Sequence, residues 1–196
     1  ILPQTNPLLL AKQAASIDVL SGGRLTLGLG IGWLEEEFVA MGTPFERRGA
    51  RFNDYIAAMK KVWSGDVVEH QSDFLNWSGF KSFPTPAQRP HPPLLVGGTS
   101  KQALKRVAQL GDGWYAPSGS PEQLAEQLAD LRTIAAEVGR DYSSIEITGT
   151  WRVAAQPDAV KQFEDLGVSR LIVPLFSTGK VHYQEAIDVI AKHAGA

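Results

Sequence analysis

Residues Arg24–Trp33 read RLTLGLGIGW. Side chains alternate along a strand with period 2, so Leu25, Leu27 and Leu29 share one face of a buried strand expected over Arg24–Leu29. Gly28, Gly30 and Gly32 share the other face, which carries no side chain beyond Thr26. A strand end without side chains lets a flat ligand or another backbone come close. The same pattern serves a tight packing contact or a bend in a barrel strand. Two familiar glycine motifs fail here. A dinucleotide fingerprint needs G-x-G-x-x-G opening a helix. Counted from Gly28 the sixth position is Trp33, and from Gly30 it is Glu35. The acidic residues that follow are expected to form a loop rather than a helix start. A P-loop ends in Gly-Lys-Ser/Thr, which occurs nowhere in the chain.

Before this stretch, Asn6 is a good N-cap and Pro7 a good first helical residue. A helix over Leu8–Leu20 places Leu10, Ala14, Ile17 and Leu20 on one face. After it, Phe52, Tyr55, Ile56, Met59, Val62 and Trp63 mark a helix over Arg48–Trp63. A small hairpin is expected at Val67–Trp77, then a proline-rich irregular stretch to Pro93. Four strand–helix repeats follow. Their strands are Leu94–Val96, Gly113–Ala116, Ile145–Val153 and Arg170–Pro174. Their helices are Lys101–Leu110, Pro121 to near Gly139, Pro157–Leu166 and His182–His193. Alternating strands and helices imply a parallel sheet with right-handed crossovers. An open doubly wound sheet and a (β/α)8 barrel both fit. Glycine-rich or polar residues after nearly every strand favour the barrel, whose sites are built from those loops.

The 196 residues are 43% hydrophobic and 20% charged, ordinary for a globular domain. A net charge of -2 offers no basic face to nucleic acid. With no cysteine there is no disulfide, thiol catalysis or thiolate metal site. The four histidines, His70, His91, His182 and His193, lack ligand spacing, so no metal is expected. No apolar run approaches the roughly 20 residues of a membrane span, and no signal peptide is visible. The expectation is a cytoplasmic protein with no membrane or nucleic-acid partner.

Four stretches then carry a resemblance: NP-x-x-x-AKQ within Leu2–Leu20, SGGRLTLGLGIGW running into EEEF and Gly42, LLVGG at Leu94–Gly98, and GDGW at Gly111–Trp114. In this order the chain resembles the luciferase-like monooxygenase family, in particular its coenzyme F420-dependent oxidoreductases. The resemblance implies an α/β fold, part of a (β/α)8 barrel with strands 4–8 present and strands 1–3 missing. It treats residues 1–196 as a single domain, with 67–93 inserted between barrel units 4 and 5. The chain begins with Ile1 rather than Met, and the family barrel needs roughly 80 more residues before it. The chain is therefore expected to be a fragment, inactive alone, with open strand edges that favour aggregation.

The resemblance also assigns sites. Gly97, Gly98, Thr99 and Ser100, at a helix start, would hold a cofactor phosphate; plain N-capping by Thr99 or Ser100 is the alternative. Lys101 and Lys105 are possible helpers. Gly28, Gly30, Gly32 and Trp33 would line the ring, with barrel-rim packing as the rival role for Trp33. The catalytic side chains are expected in the missing strands, leaving Trp33 and Glu36 as the catalytic candidates of this chain. Family glucose-6-phosphate dehydrogenases carry a glutamate where this chain has Trp33, and a threonine and lysine where it has Pro117 and Ser120. Both departures argue against a sugar phosphate. Glu37 is expected to pair with Arg48 or Arg51. The implied activity is F420-dependent hydride transfer on a small-molecule substrate, with FMN-dependent monooxygenation or non-catalytic flavin binding as alternatives. A homodimer is compatible with the family.

Overall fold

Asn6 starts the first helix. Its Oδ1 accepts the N–H groups of Leu8 at 3.0 Å and Leu9 at 3.1 Å, two donors that a helix start leaves without partners. The structure, a computed structural model, describes residues 1–180 and 182–194. It contains two compact units, Ile1–Leu94 and Leu95–Ala196.

The first unit holds α1 (Pro7–Leu20), β1 (Leu27–Leu29), α2 (Glu35–Ala40), α3 (Arg48–Trp63) and the hairpin strands β2 (Val68–Gln71) and β3 (Asn76–Phe80). The buried face of α1 differs from the expected one. Ala11, Ala14, Ala15 and Asp18 are buried, whereas Ile17 is 52% and Leu20 87% exposed. Small side chains let α1 approach α3 so closely that the Trp63 indole donates to the Ala11 carbonyl at 2.9 Å. The strand expected over Arg24–Leu29 is shorter, because residues before Leu27 are claimed elsewhere. The Arg24 N–H donates to Ser21 Oγ, and the Leu25 carbonyl accepts from the Gln88 side chain. Leu27 N–H donates to the Pro93 carbonyl at 2.8 Å.

The acidic run after the glycines is helical, not a loop. Glu35, Glu36 and Glu37 fill the first turn of α2, where carboxylates oppose the positive end of the helix dipole, and Phe38 anchors the helix in the core. Helix α3 spans the expected residues and buries Phe52, Ile56, Met59, Val62 and Trp63. The antiparallel hairpin pairs His70 with Trp77 and is tied to α3. His70 Nε2 lies 2.8 Å from Asp54 Oδ1, and Ser72 Oγ donates to Asp54 Oδ2 at 2.9 Å. The proline-rich stretch is ordered by buried Asp18, which accepts from the Gln88 N–H at 2.9 Å and its side-chain amide at 2.7 Å.

The second unit begins within β4 (Leu94–Gly97), and β4, β5 (Gly113–Ala116), β6 (Glu146–Thr150) and β7 (Arg170–Ile172) are parallel neighbours in that order. They alternate with α4 (Lys101–Leu110), α5 (Pro121–Glu137), α6 (Val160–Asp165) and α7 (Tyr183–Ala194). The run Leu94–Val96 is wholly buried, as strands covered on both faces require. Strand β6 and helix α6 are shorter than expected. After Thr150 the chain turns on the Arg152 carbonyl, which accepts the N–H groups of Ala155 and Gln156. The Trp151 indole closes the turn by donating to the Gln156 carbonyl at 2.7 Å.

Candidate functional site

The three glycines after Leu27 have different surroundings. A Cβ at Gly28 or Gly30 would meet nothing within 4 Å. At Gly32, φ is +77°, and a Cβ would stand 2.6 Å from the Phe38 ring and 2.9 Å from Ile1. Gly32 is thus required by its backbone conformation and by Phe38. Its carbonyl is held by Arg48, whose Nε donates at 3.1 Å while its guanidinium covers the Phe45 ring at 3.7 Å. Among the described residues Gly28 and Gly30 leave space beside the strand. Trp33 follows, 82% exposed, and Glu36 is exposed on α2.

The expected pairing of Glu37 does not form among the described residues. Arg51 donates instead to the Pro44 carbonyl at 2.7 Å, and Arg48 to Gly32. Both arginines therefore organise the loop between β1 and α3 through backbone carbonyls. Arg47, the N-cap of α3, sits in the left-handed region at φ 55°, a conformation that costs a non-glycine residue energy. It is held by Asp73 at 2.6 Å and by the Phe74 ring, 4.9 Å from its guanidinium.

In the second unit, β4 ends at Gly97, and Gly98 turns the chain with φ +118°, where a Cβ would press on Ala103 at 2.9 Å. Ser100 caps α4, its Oγ accepting the Ala103 N–H at 3.2 Å. Among the described residues the N–H groups of Thr99, Ser100, Lys101 and Gln102 find no acceptor. Four such donors at the positive end of a ten-residue helix suit an anion. Lys101 and Lys105 line a groove with Asp130 and Glu137, so carboxylates share their surroundings. Pro117 is exposed and Ser120 caps α5, accepting from Gln123 at 3.3 Å.

One contact leaves no signature in the sequence pattern. The indole of Trp114, 0% exposed, donates to the Gly98 carbonyl at 2.8 Å. It joins the GDGW motif to the glycine turn. Gly113 has no room for a side chain between Leu95 and Glu146, and Gly111 is crowded by the Gly113 and Val107 carbonyls.

The family model of luciferase-like monooxygenases matches residues 1–180. The chain belongs to that family. An uncharacterised protein of Mycobacterium tuberculosis is 36% identical over 172 residues, 88% of this chain. The chain spans only 58% of that relative's length. The FMNH2-dependent dimethylsulfone monooxygenase of Pseudomonas putida is 34% identical over 137 residues, 68% of this chain and 38% of that enzyme. Among solved structures, the coenzyme F420-dependent tetrahydromethanopterin reductase of Methanopyrus kandleri superposes with a TM-score of 0.67 at 17% identity, covering 97% of this chain and 65% of that one. That likeness is one of fold. The α/β arrangement of strands and helices is accordingly part of the luciferase-like (β/α)8 barrel. Solved structures that share this fold include an F420-dependent secondary alcohol dehydrogenase and the FMN-bound oxygenating constituent of a diketocamphane monooxygenase.

Proposed function

We propose that the complete protein is a hydride-transfer oxidoreductase that uses coenzyme F420 on a small-molecule substrate. The observation that supports a phosphate-bearing cofactor, F420 and FMN alike, is the row of donors at Thr99, Ser100, Lys101 and Gln102. The open face at Gly28 and Gly30 supports it, since a planar ring can lie against backbone there. When bound, the cofactor supplies the carbon that gives or takes the hydride. This chain contributes binding and orientation. The donors after Gly98 hold the phosphate, the two open glycines admit the ring, and Arg48 keeps the loop beyond Gly32 in place. Trp33 is the candidate for stacking on ring or substrate, and Glu36 for hydrogen bonding to either. Residues 67–93 form the inserted excursion, and the working protein is a homodimer. The fragment alone is inactive.

A second reading, FMN-dependent monooxygenation, is favoured by the 34% identity to an enzyme named for FMNH2. Titrating the complete protein with F420 and with FMN separates the two. Tight F420 binding and F420 turnover support the first reading, and FMN binding alone replaces it with the second. Binding of neither ends both, and binding without turnover of any hydride donor makes the protein a non-catalytic flavin- or deazaflavin-binding protein.

A further inference from the structure

We propose that Trp114 is a positioning residue for the phosphate cradle: by holding the Gly98 carbonyl, its indole N–H aims the Thr99 N–H at the cofactor phosphate. This rests on the functional reading above. A trans peptide is planar, and its carbonyl and N–H point in opposite directions. With the Gly98 oxygen fixed 2.8 Å from Trp114 Nε1, the Thr99 N–H of the same peptide leaves on the side away from the indole. That N–H has no acceptor among the described residues. The turn needs such a lock, because glycine moves readily between backbone regions and Gly98 stands at φ +118°. Left alone, the 98–99 peptide can rotate and present its carbonyl where the N–H should be. An anion would then meet an oxygen instead of a donor.

The ring itself cannot drift. Trp114 lies on β5 in register with Val96 of β4 and Ile147 of β6, wholly buried. The motif GDGW therefore acts at a distance of 16 residues from the turn it controls. A purely structural tryptophan would affect every ligand alike. The positioning role predicts an effect confined to the phosphate.

The test compares two variants of the complete protein. Trp114→Phe removes the N–H and part of the ring. Site-specific replacement of Trp114 by 3-benzothienylalanine keeps the ring shape and exchanges N–H for sulfur, so it decides the matter if the phenylalanine variant fails to fold. The probes are FMN against riboflavin, and F420 against the deazaflavin chromophore lacking its phosphate. The expected result is that the preference for the phosphorylated form falls about tenfold, the scale of one hydrogen bond to a charged group, while affinity for the form without phosphate stays within about twofold. An unchanged preference overturns the proposal, and so does a parallel loss for both forms. If the unaltered protein binds none of the four probes, the functional reading fails first and takes this one with it.

Discussion

Replacing Asp18 by Asn keeps the shape of the side chain and changes only what it can accept. Asp18 is 0% exposed and takes two hydrogen bonds from Gln88, at 2.9 Å from the backbone and 2.7 Å from the amide. The same amide donates to the Leu25 carbonyl at 2.7 Å, so Gln88 cannot turn over without setting oxygen against oxygen. An asparagine can accept one of these bonds, but its own NH2 then faces the other donor. A hydrogen bond to a charged group contributes about 1.5–3 kcal/mol. Losing one and leaving a buried donor unmatched should cost about 2–4 kcal/mol. That is a large share of the roughly 5–15 kcal/mol that holds a typical domain together. The pH dependence provides a second check. Burial pushes the Asp18 carboxyl up, but the Gln88 N–H and side-chain amide, with the nearby Leu25 and Ala87 backbone, outweigh it and hold the group below its ordinary 3.8. A depressed folded-state value means that the unfolded chain binds the proton first as pH falls. The carboxylate's contribution is therefore complete above the ordinary value and is lost as pH drops through the folded-state value. Urea unfolding, followed by tryptophan fluorescence, should show Asp18→Asn less stable at pH 7, with the gap narrowing below about pH 4. An equal midpoint at pH 7, or a gap that persists undiminished at low pH, would refute the reasoning.

The glycines of RLTLGLGIGW should separate into two classes. Gly28→Ala and Gly30→Ala meet open space, so thermal stability should hold or rise by about 0.4–1 kcal/mol, while cofactor affinity of the complete protein drops. Gly32→Ala meets Phe38 at φ +77° and should cost at least about 1 kcal/mol before any ligand is added. His70→Ala removes the hydrogen bond to Asp54 and the ring stacked on Trp77 at 5.7 Å. Native-state amide exchange should accelerate across residues 68–80 and stay unchanged in α4 and α5; uniform acceleration would deny the hairpin its local tie.

Elements were legible where terminators bound a periodic run. Gly65-Asp66 ends α3, and Pro121 opens α5 at its first position, so both helices lie where periodicity puts them. Periodicity rewards size, and so points to the wrong face of α1. Leu10, Ile17 and Leu20 look like a core stripe, yet Ala11, Ala14 and Ala15 lie inside, since close helix approach selects the smallest side chains. The one sequence signal was Asp18, a charge in line with those alanines. For Glu37 the sequence offers only arginines flanking the same loop. Arg48 and Arg51 chose carbonyls at Gly32 and Pro44, partners present at every residue and therefore invisible in a pattern of side chains.

The same blindness explains why two motifs read as separate signals are one device. LLVGG supplies a turn that only glycine can make, and a glycine turn is free to choose among orientations. GDGW supplies the choice. Gly111 and Gly113 clear space for the backbone around β5, and Trp114 reaches back to the Gly98 carbonyl. Neither half suffices, because a turn without the indole is loose and an indole without the turn has no carbonyl to hold. In RLTLGLGIGW the division is similar on a smaller scale. Gly32 bends the chain against Phe38 and Arg48 fixes the bend, while Gly28 and Gly30 meet no side chain among the described residues.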